Sequence, residues 1–244
     1  MNHIDSLKVM EIDLEKHQQN QRFKKTYSAN SKEVAALLTL SGGFLDVFTY
    51  IGHGKVFANT MTGNVIFLGI YTVSGEWQQT LQYFPPIVAF MLGIYIAHHL
   101  QLPVVVRYLP KPALTALGLE IMVLMIITFL PDSFPDSVLV LLISSVGAMQ
   151  SSSFNKLEEW SYSSVMTTGN LRRFAEAFLI SIVPPRHPEA FREARLFGLL
   201  CLCFLCGAIL AAISTSKLHN FALILPVIAI ASAFMICLRK SKTF

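Results

Sequence analysis

Charge is scarce in this chain. Asp, Glu, Lys and Arg make up only 14% of its 244 residues, against 53% hydrophobic ones, where soluble domains carry roughly a quarter charged residues. That shortage excludes an ordinary water-soluble globule, and a mean hydropathy of +0.54 points to lipid as the solvent. Cysteine is also sparse. Cys201, Cys203, Cys206 and Cys237 all fall in apolar runs, so no disulfide framework is implied. Helical steps of about 100° per residue set the first three sulfurs on different faces, and the Cys-x-Cys-x-x-Cys spacing reads as apolar packing, not a metal site. Catalytic signatures are missing too. There is no zinc-protease helix motif, phosphate-binding glycine loop or nucleophile elbow, and Ser151-Ser152-Ser153 has no His at matching depth. The expectation is a non-enzyme without cofactor or metal. The first residues, Met1 to Lys8, lack the apolar core and cleavage site of a signal peptide. A net charge of +4 is no nucleic-acid signal, because where Lys and Arg sit matters more than their sum.

Long apolar runs are what the chain has in abundance. Residues 1–33 form a polar tail, and the expected cytoplasmic C-terminus is 239–244. A spanning helix needs about 20 mainly apolar residues. Six runs qualify, near 34–52, 83–102, 114–131, 137–154, 196–214 and 220–238. Pro85 and Pro86 are read at the start of the second run, where a missing N–H does no harm. Two shorter segments, near 60–74 and 166–182, share the tripeptides Thr62-Gly63-Asn64 and Thr168-Gly169-Asn170. Upstream, Gly43-x-x-Asp46 is echoed by Gly147-x-x-Gln150; downstream, Phe90-x-x-Gly93 is echoed by Phe204-x-x-Gly207. Three matched features in one order predict an internal duplication, 34–131 and 137–238.

The short segments are read as re-entrant. Arg172 and Arg173 would cost about 2.5–3.5 kcal/mol each at a helix centre, while apolar residues return only about 0.3–0.6 kcal/mol apiece. Thr62 to Val73 would reach only about 18 Å. Eight crossings would place the Arg107 and Lys111 loop outside and the loops 75–82 and 132–136, free of Lys and Arg, inside. Six crossings leave only Lys55 and Lys217 outside, as the positive-inside rule asks. The fold expected is therefore all-α: a polytopic bundle of six spanning helices plus two half helices, with seven or eight spans as the alternative. Three crossings per repeat invert the second repeat relative to the first, a pattern that points to a substrate path near the midplane.

Candidate residues follow. Helix starts at Gly63-Asn64 and Gly169-Asn170 present unpaired amides and a positive dipole end, which Thr62 and Thr168 are expected to cap. Such ends suit an anion, a carboxylate or a file of water. Asp46 lies within the first span, and an intramembrane carboxylate is a functional candidate by default. Gln150 is its neutral counterpart. Asn59, Thr60 and Asn155 are expected to line the same path. Arg172 and Arg173 are read as interface anchors, Glu120 as a side chain that pairs or snorkels near the cytoplasmic end of its span, and the glycines Gly42, Gly43, Gly93 and Gly207 as sites of close helix packing.

Gly43-x-x-Asp46, Asn59-Thr-Met-Thr-Gly-Asn64, Gly147-x-x-Gln150 and Thr167-Thr-Gly169 resemble the YoaK family of bacterial membrane proteins, over about residues 34–238. The resemblance implies a bacterial cytoplasmic-membrane location and a helical bundle of roughly that length, but no substrate. Ser151 departs from the Asn often found there in the family, and the charged N-terminal tail is longer than usual. The function expected is a small-solute transporter or channel, its path between the two Thr-Gly-Asn ends, with both termini cytoplasmic. Its partners would be the bilayer and a small solute, anionic or proton-coupled, with no nucleic acid; a homo-oligomer is compatible. The alternatives are a membrane scaffold or regulator and, less favoured, a membrane-embedded enzyme.

Overall fold

Burial separates the helices into an enclosed pair and a lipid-facing set. The computed structural model describes residues 31–184 and 187–242, so the expected polar tail lies outside the described residues except for Ser31, Lys32 and Glu33. Helix α1 spans Lys32–Gly52 and α2 Met61–Val73. Then come α3, Trp77–Leu100, a short α4, Pro103–Val106, and α5, Pro112–Thr128. The second half contains α6, Asp136–Ser153, a two-residue hairpin pairing Lys156–Leu157 with Trp160–Ser161, and α7, Thr167–Ile182. It ends with α8, Pro188–Leu218, a 3-10 turn, His219–Leu223, and α9, Ile224–Lys242. Twelve of the 21 residues of α1 and nine of the 18 of α6 are buried, which makes these two the centre. Both carry the polar residues that lipid would reject, Asp46 and Gln150 among them. Elsewhere many outward residues are apolar, such as Val65, Ile66 and Ile70 on α2 and Leu202, Leu205 and Ile209 on α8. That is the surface a hydrocarbon solvent selects.

By length and hydropathy three stretches suffice to cross a membrane: α1, α3 and the continuous Pro188–Arg239 stretch of α8 and α9. Helices α2 and α5 are apolar but shorter. At 1.5 Å per residue the 13 residues of α2 reach about 20 Å, short of the roughly 30 Å hydrocarbon core. Two starts differ from the sequence expectation. Helix α3 begins at Trp77, so Pro85 and Pro86 lie inside it and each withdraws an N–H from the ladder. Helix α8 begins at Pro188, eight residues before its apolar run. Its polar first turns are held by Arg173–Glu193 and Arg192–Glu158 ion pairs, both 2.8 Å. Hydropathy finds where lipid begins, not where helix begins.

Helix α1 packs on α8 and α6 on α3; α2 lies on α3 and α7 on α8; α5 meets α6, α9 meets α1, and α5 meets α9. These seven pairings are unchanged when α1 is exchanged with α6, α2 with α7, α3 with α8 and α5 with α9, whereas a slighter α3–α5 contact has no such counterpart between α8 and α9. Glycine makes the two main crossings close. A Cβ on Gly207 would strike the Leu40 carbonyl, one on Gly43 the Phe204 carbonyl, and one on Gly93 the Ser145 carbonyl. At one end of the bundle His53 Nδ1, after α1, lies 2.7 Å from Asp136 Oδ1, which starts α6. Asn220 Nδ2 donates to the Leu130 carbonyl at 3.1 Å, so the end of α5 meets the turn between α8 and α9.

Candidate functional site

The half helix α2 does not start on its own side chains. Asp46, the fifteenth of the 21 residues of α1 and 3% exposed, reaches the chain just ahead of it. Its Oδ1 accepts the Asn59 N–H at 2.6 Å and the Thr60 N–H at 3.1 Å. Its Oδ2 accepts the Thr60 hydroxyl at 2.5 Å. Amides next to a helix start are orphan donors, and a carboxylate there gains charge-assisted bonds and a favourable dipole. Capping is thus supplied by a different helix.

Asn64, in the first turn of α2, makes a second grip. Side chains on a helix tilt toward its N-terminus, and the Asn64 amide closes on residue 57. Oδ1 accepts the Phe57 N–H at 3.0 Å and Nδ2 donates to the Phe57 carbonyl at 2.7 Å. Asn170 repeats this in α7, seven positions from Ser163, with distances of 3.2 and 2.7 Å.

The counterpart of Asp46 is built differently. Gln150, on α6 and 1% exposed, lies 2.9 Å from the Ser164 hydroxyl, fourteen positions on, as Thr60 is from Asp46. With its amide oxygen toward Ser164, its nitrogen stands 3.0 and 2.9 Å from the two carboxyl oxygens of Glu120. The opposite orientation sets amide oxygen against carboxyl oxygen. Glu120, ninth of the 17 residues of α5, is 0% exposed.

The two sites lie within about one helical turn of each other. A Cβ on Gly147, three residues before Gln150, would strike Asn59 Oδ1; one on Gly42, four before Asp46, would strike the Ser164 carbonyl. Each loop therefore bonds the first helix of its own half and presses on that of the other. Asn59 is 0% exposed, and neither its Oδ1 nor its Nδ2 has a partner among the described residues.

Residues 34–236 match the family described as protein of unknown function (DUF1275). The chain belongs to that family. All the site residues named above fall within the match. A relative from Bacillus subtilis (strain 168), UPF0700 transmembrane protein YoaK, is 25% identical over 214 residues, covering 86% of this chain and 95% of that protein. No solved structure matches. A transmembrane relative and apolar outward helices together make this DUF1275 member an integral membrane protein.

Within the DUF1275 fold the expected site residues divide. Asp46, Asn59, Thr60 and Asn64 come together, as do Gln150 and Asn170 with Ser163 and Ser164. Thr62 and Thr168 do not cap: neither helix start has a side-chain cap bond, and both threonines are exposed, because the helices begin one residue earlier. Gly63 packs under the Phe57 ring, whereas Gly169 has open space and borders a cleft of about 410 Å³ with Arg172, Arg173 and Glu176. Asn155 is exposed; its carbonyl accepts the Tyr162 N–H at 3.1 Å, next to Ser163, but its side chain bonds neither site among the described residues. Arg172 pairs with Glu176 at 2.8 Å. Of the cysteines only Cys237 is buried, and Cys206 is exposed, so core packing holds for Cys237 alone. Glu120 does not snorkel. Near the centre of α5 its chain cannot reach water past the apolar turns on either side. The signal was present in the sequence, an acid inside an apolar run, but its partner on α6 was not.

Proposed function

We propose that this protein carries a small solute across the bacterial cytoplasmic membrane, with both termini inside. The path runs between two oppositely oriented repeats, where the starts of α2 and α7 face each other over α1 and α6. Opposite orientation is supported by the end of α1 meeting the start of α6, which sets these two corresponding helices antiparallel. The observation that carries the reading is Asp46: a buried acid gripping the start of a half helix through three hydrogen bonds. A carboxylate accepts all three at once, whereas a proton on it removes the charge that strengthens them. Charge on Asp46 and the position of residues 59–60 are thereby linked, which is what coupling to a proton or an anionic solute requires. The protein acts as a carrier in this reading, not as an enzyme.

A scaffold is the second reading, favoured by one observation: both Asp46 oxygens already have partners, as in a purely structural tie. Cysteine accessibility separates the two. In a variant with the native cysteines replaced by serine, Thr60→Cys in sealed vesicles should react with a membrane-impermeant methanethiosulfonate reagent. Adding Asp46→Asn should change that rate several-fold. A thiol at position 60 that stays unreactive until detergent is added, with or without Asp46, would leave the scaffold.

A further inference from the structure

Glu120 is the buried acid that the path reading leaves unused. It is the sole buried glutamate among the described residues, as Asp46 is the sole buried aspartate. Its recorded partner is the Gln150 amide. The elements packed on α5 carry few titratable groups. These are Asp136 on α6, at the far end with His53; Tyr83, Tyr95, His98 and His99 on α3; His219 in the turn; and Cys237, Arg239, Lys240 and Lys242 on α9. Lys111 precedes α5 itself. Among the described residues none of these is hydrogen-bonded or ion-paired to Glu120, which is 0% exposed. A buried ion without a counter-charge costs several kcal/mol, so the natural ligand of this carboxyl is a proton.

The geometry around Gln150 accommodates both states. With Glu120 ionised, the amide nitrogen must face the carboxylate, and the Ser164 hydroxyl donates to the amide oxygen at 2.9 Å. With Glu120 protonated, the acid hydroxyl can donate to the amide oxygen. The amide nitrogen then donates to Ser164 Oγ, also at 2.9 Å. One set of positions serves both patterns, and only the amide turns over. The buried Asn59 amide, unpaired beside Gly147, sits within a turn of this pair as a second polar group that neither site satisfies.

We infer that Glu120 is a proton-binding site whose state is read by the Gln150 amide and passed to Ser164 as a switch between donor and acceptor. Ser164 lies just before α7, and its carbonyl rests on Gly42, one turn before Asp46. A proton bound at Glu120 is thus felt at the start of one half helix and beside the acid that holds the other. The assignment goes beyond the transport reading and does not depend on it, since a scaffold could carry the same switch.

Infrared difference spectra of the full chain in lipid nanodiscs, recorded between pH steps, read the site directly. The expected result is a carbonyl band at the high wavenumber of a dry carboxylic acid. It should move on [13C]glutamate labelling, vanish in Glu120→Gln and persist in Asp46→Asn. In Gln150→Leu, where the acid loses its partner, it should shift upward. Labelling of the wild-type chain gives the answer even if a variant fails to fold. Wild-type spectra without a glutamate-sensitive band in that region would overturn the assignment, as would Glu120→Gln spectra that superimpose on wild type. Failure of the cysteine-accessibility test would leave it standing.

Discussion

Asn64 and Asn170 show what one side chain does for a half helix in lipid. A backbone N–H and C=O at membrane depth must be satisfied internally, and each asparagine satisfies one of both. Removing it orphans two groups, each worth about 1–3 kcal/mol when left unpaired. Asn64→Ala and Asn170→Ala should therefore lower the thermal midpoint in detergent by similar amounts, several degrees each. Aspartate at either position keeps the acceptor and loses the donor, and should recover about half. A large drop for one site and none for the other would show that the matched clamps are not equivalent. The sequence pointed to these asparagines through the repeated tripeptide. It could not show their job, because the partners seven residues upstream belong to loops whose path no periodicity records. The same limit explains Thr62 and Thr168: a capping residue type sits where the helix has already begun.

Among the elements, α1 and α8, like α3 and α6, cross where glycine lets one backbone touch another. Without a hydrophobic force between helices in lipid, such close packing is a main source of association. Gly207→Ala and Gly93→Ala should each destabilise by about 1–3 kcal/mol, the usual cost of overpacking. The obstacle in each case is a backbone carbonyl, which cannot turn aside as a side chain can. Gly69→Ala and Gly118→Ala, where nothing lies within 4 Å, should leave the midpoint unchanged. Intrinsic-fluorescence melts of the four variants check this, and equal melts for all four would mean the crossings are looser than described. Helix existence was legible from apolar runs, since spans near 34–52 and 137–154 became α1 and α6 almost residue for residue. Helix length was not. The polar turns at 77–82 and 188–195 extend α3 and α8 beyond the lipid signal, and ion pairs such as Arg173–Glu193, invisible to hydropathy, hold the latter.

At the scale of the whole described chain, the main helix pairings of one half can be exchanged for those of the other, a correspondence the sequence only hints at. Asp46 and Gln150 occupy matched places, but one is an acid bonded to its own loop and the other an amide bonded to an acid on α5. In the position where α9 faces α1, no carboxyl corresponds to Glu120. Matched architecture with unmatched chemistry gives the two half helices different electrostatic holds, one on the Asp46 carboxyl and one on the Gln150 amide beside Glu120. That asymmetry was half readable, in Asp46 against Gln150; the other half depended on which neighbour Glu120 meets. The claim underlying the rest is that α2 and α7 enter from opposite faces. Single cysteines at Gly75, after α2, and His187, after α7, test it in sealed vesicles of known orientation. The thiol at position 75 should react with an impermeant reagent only from outside and the one at 187 only from inside. Reaction of both from the same side would contradict the account.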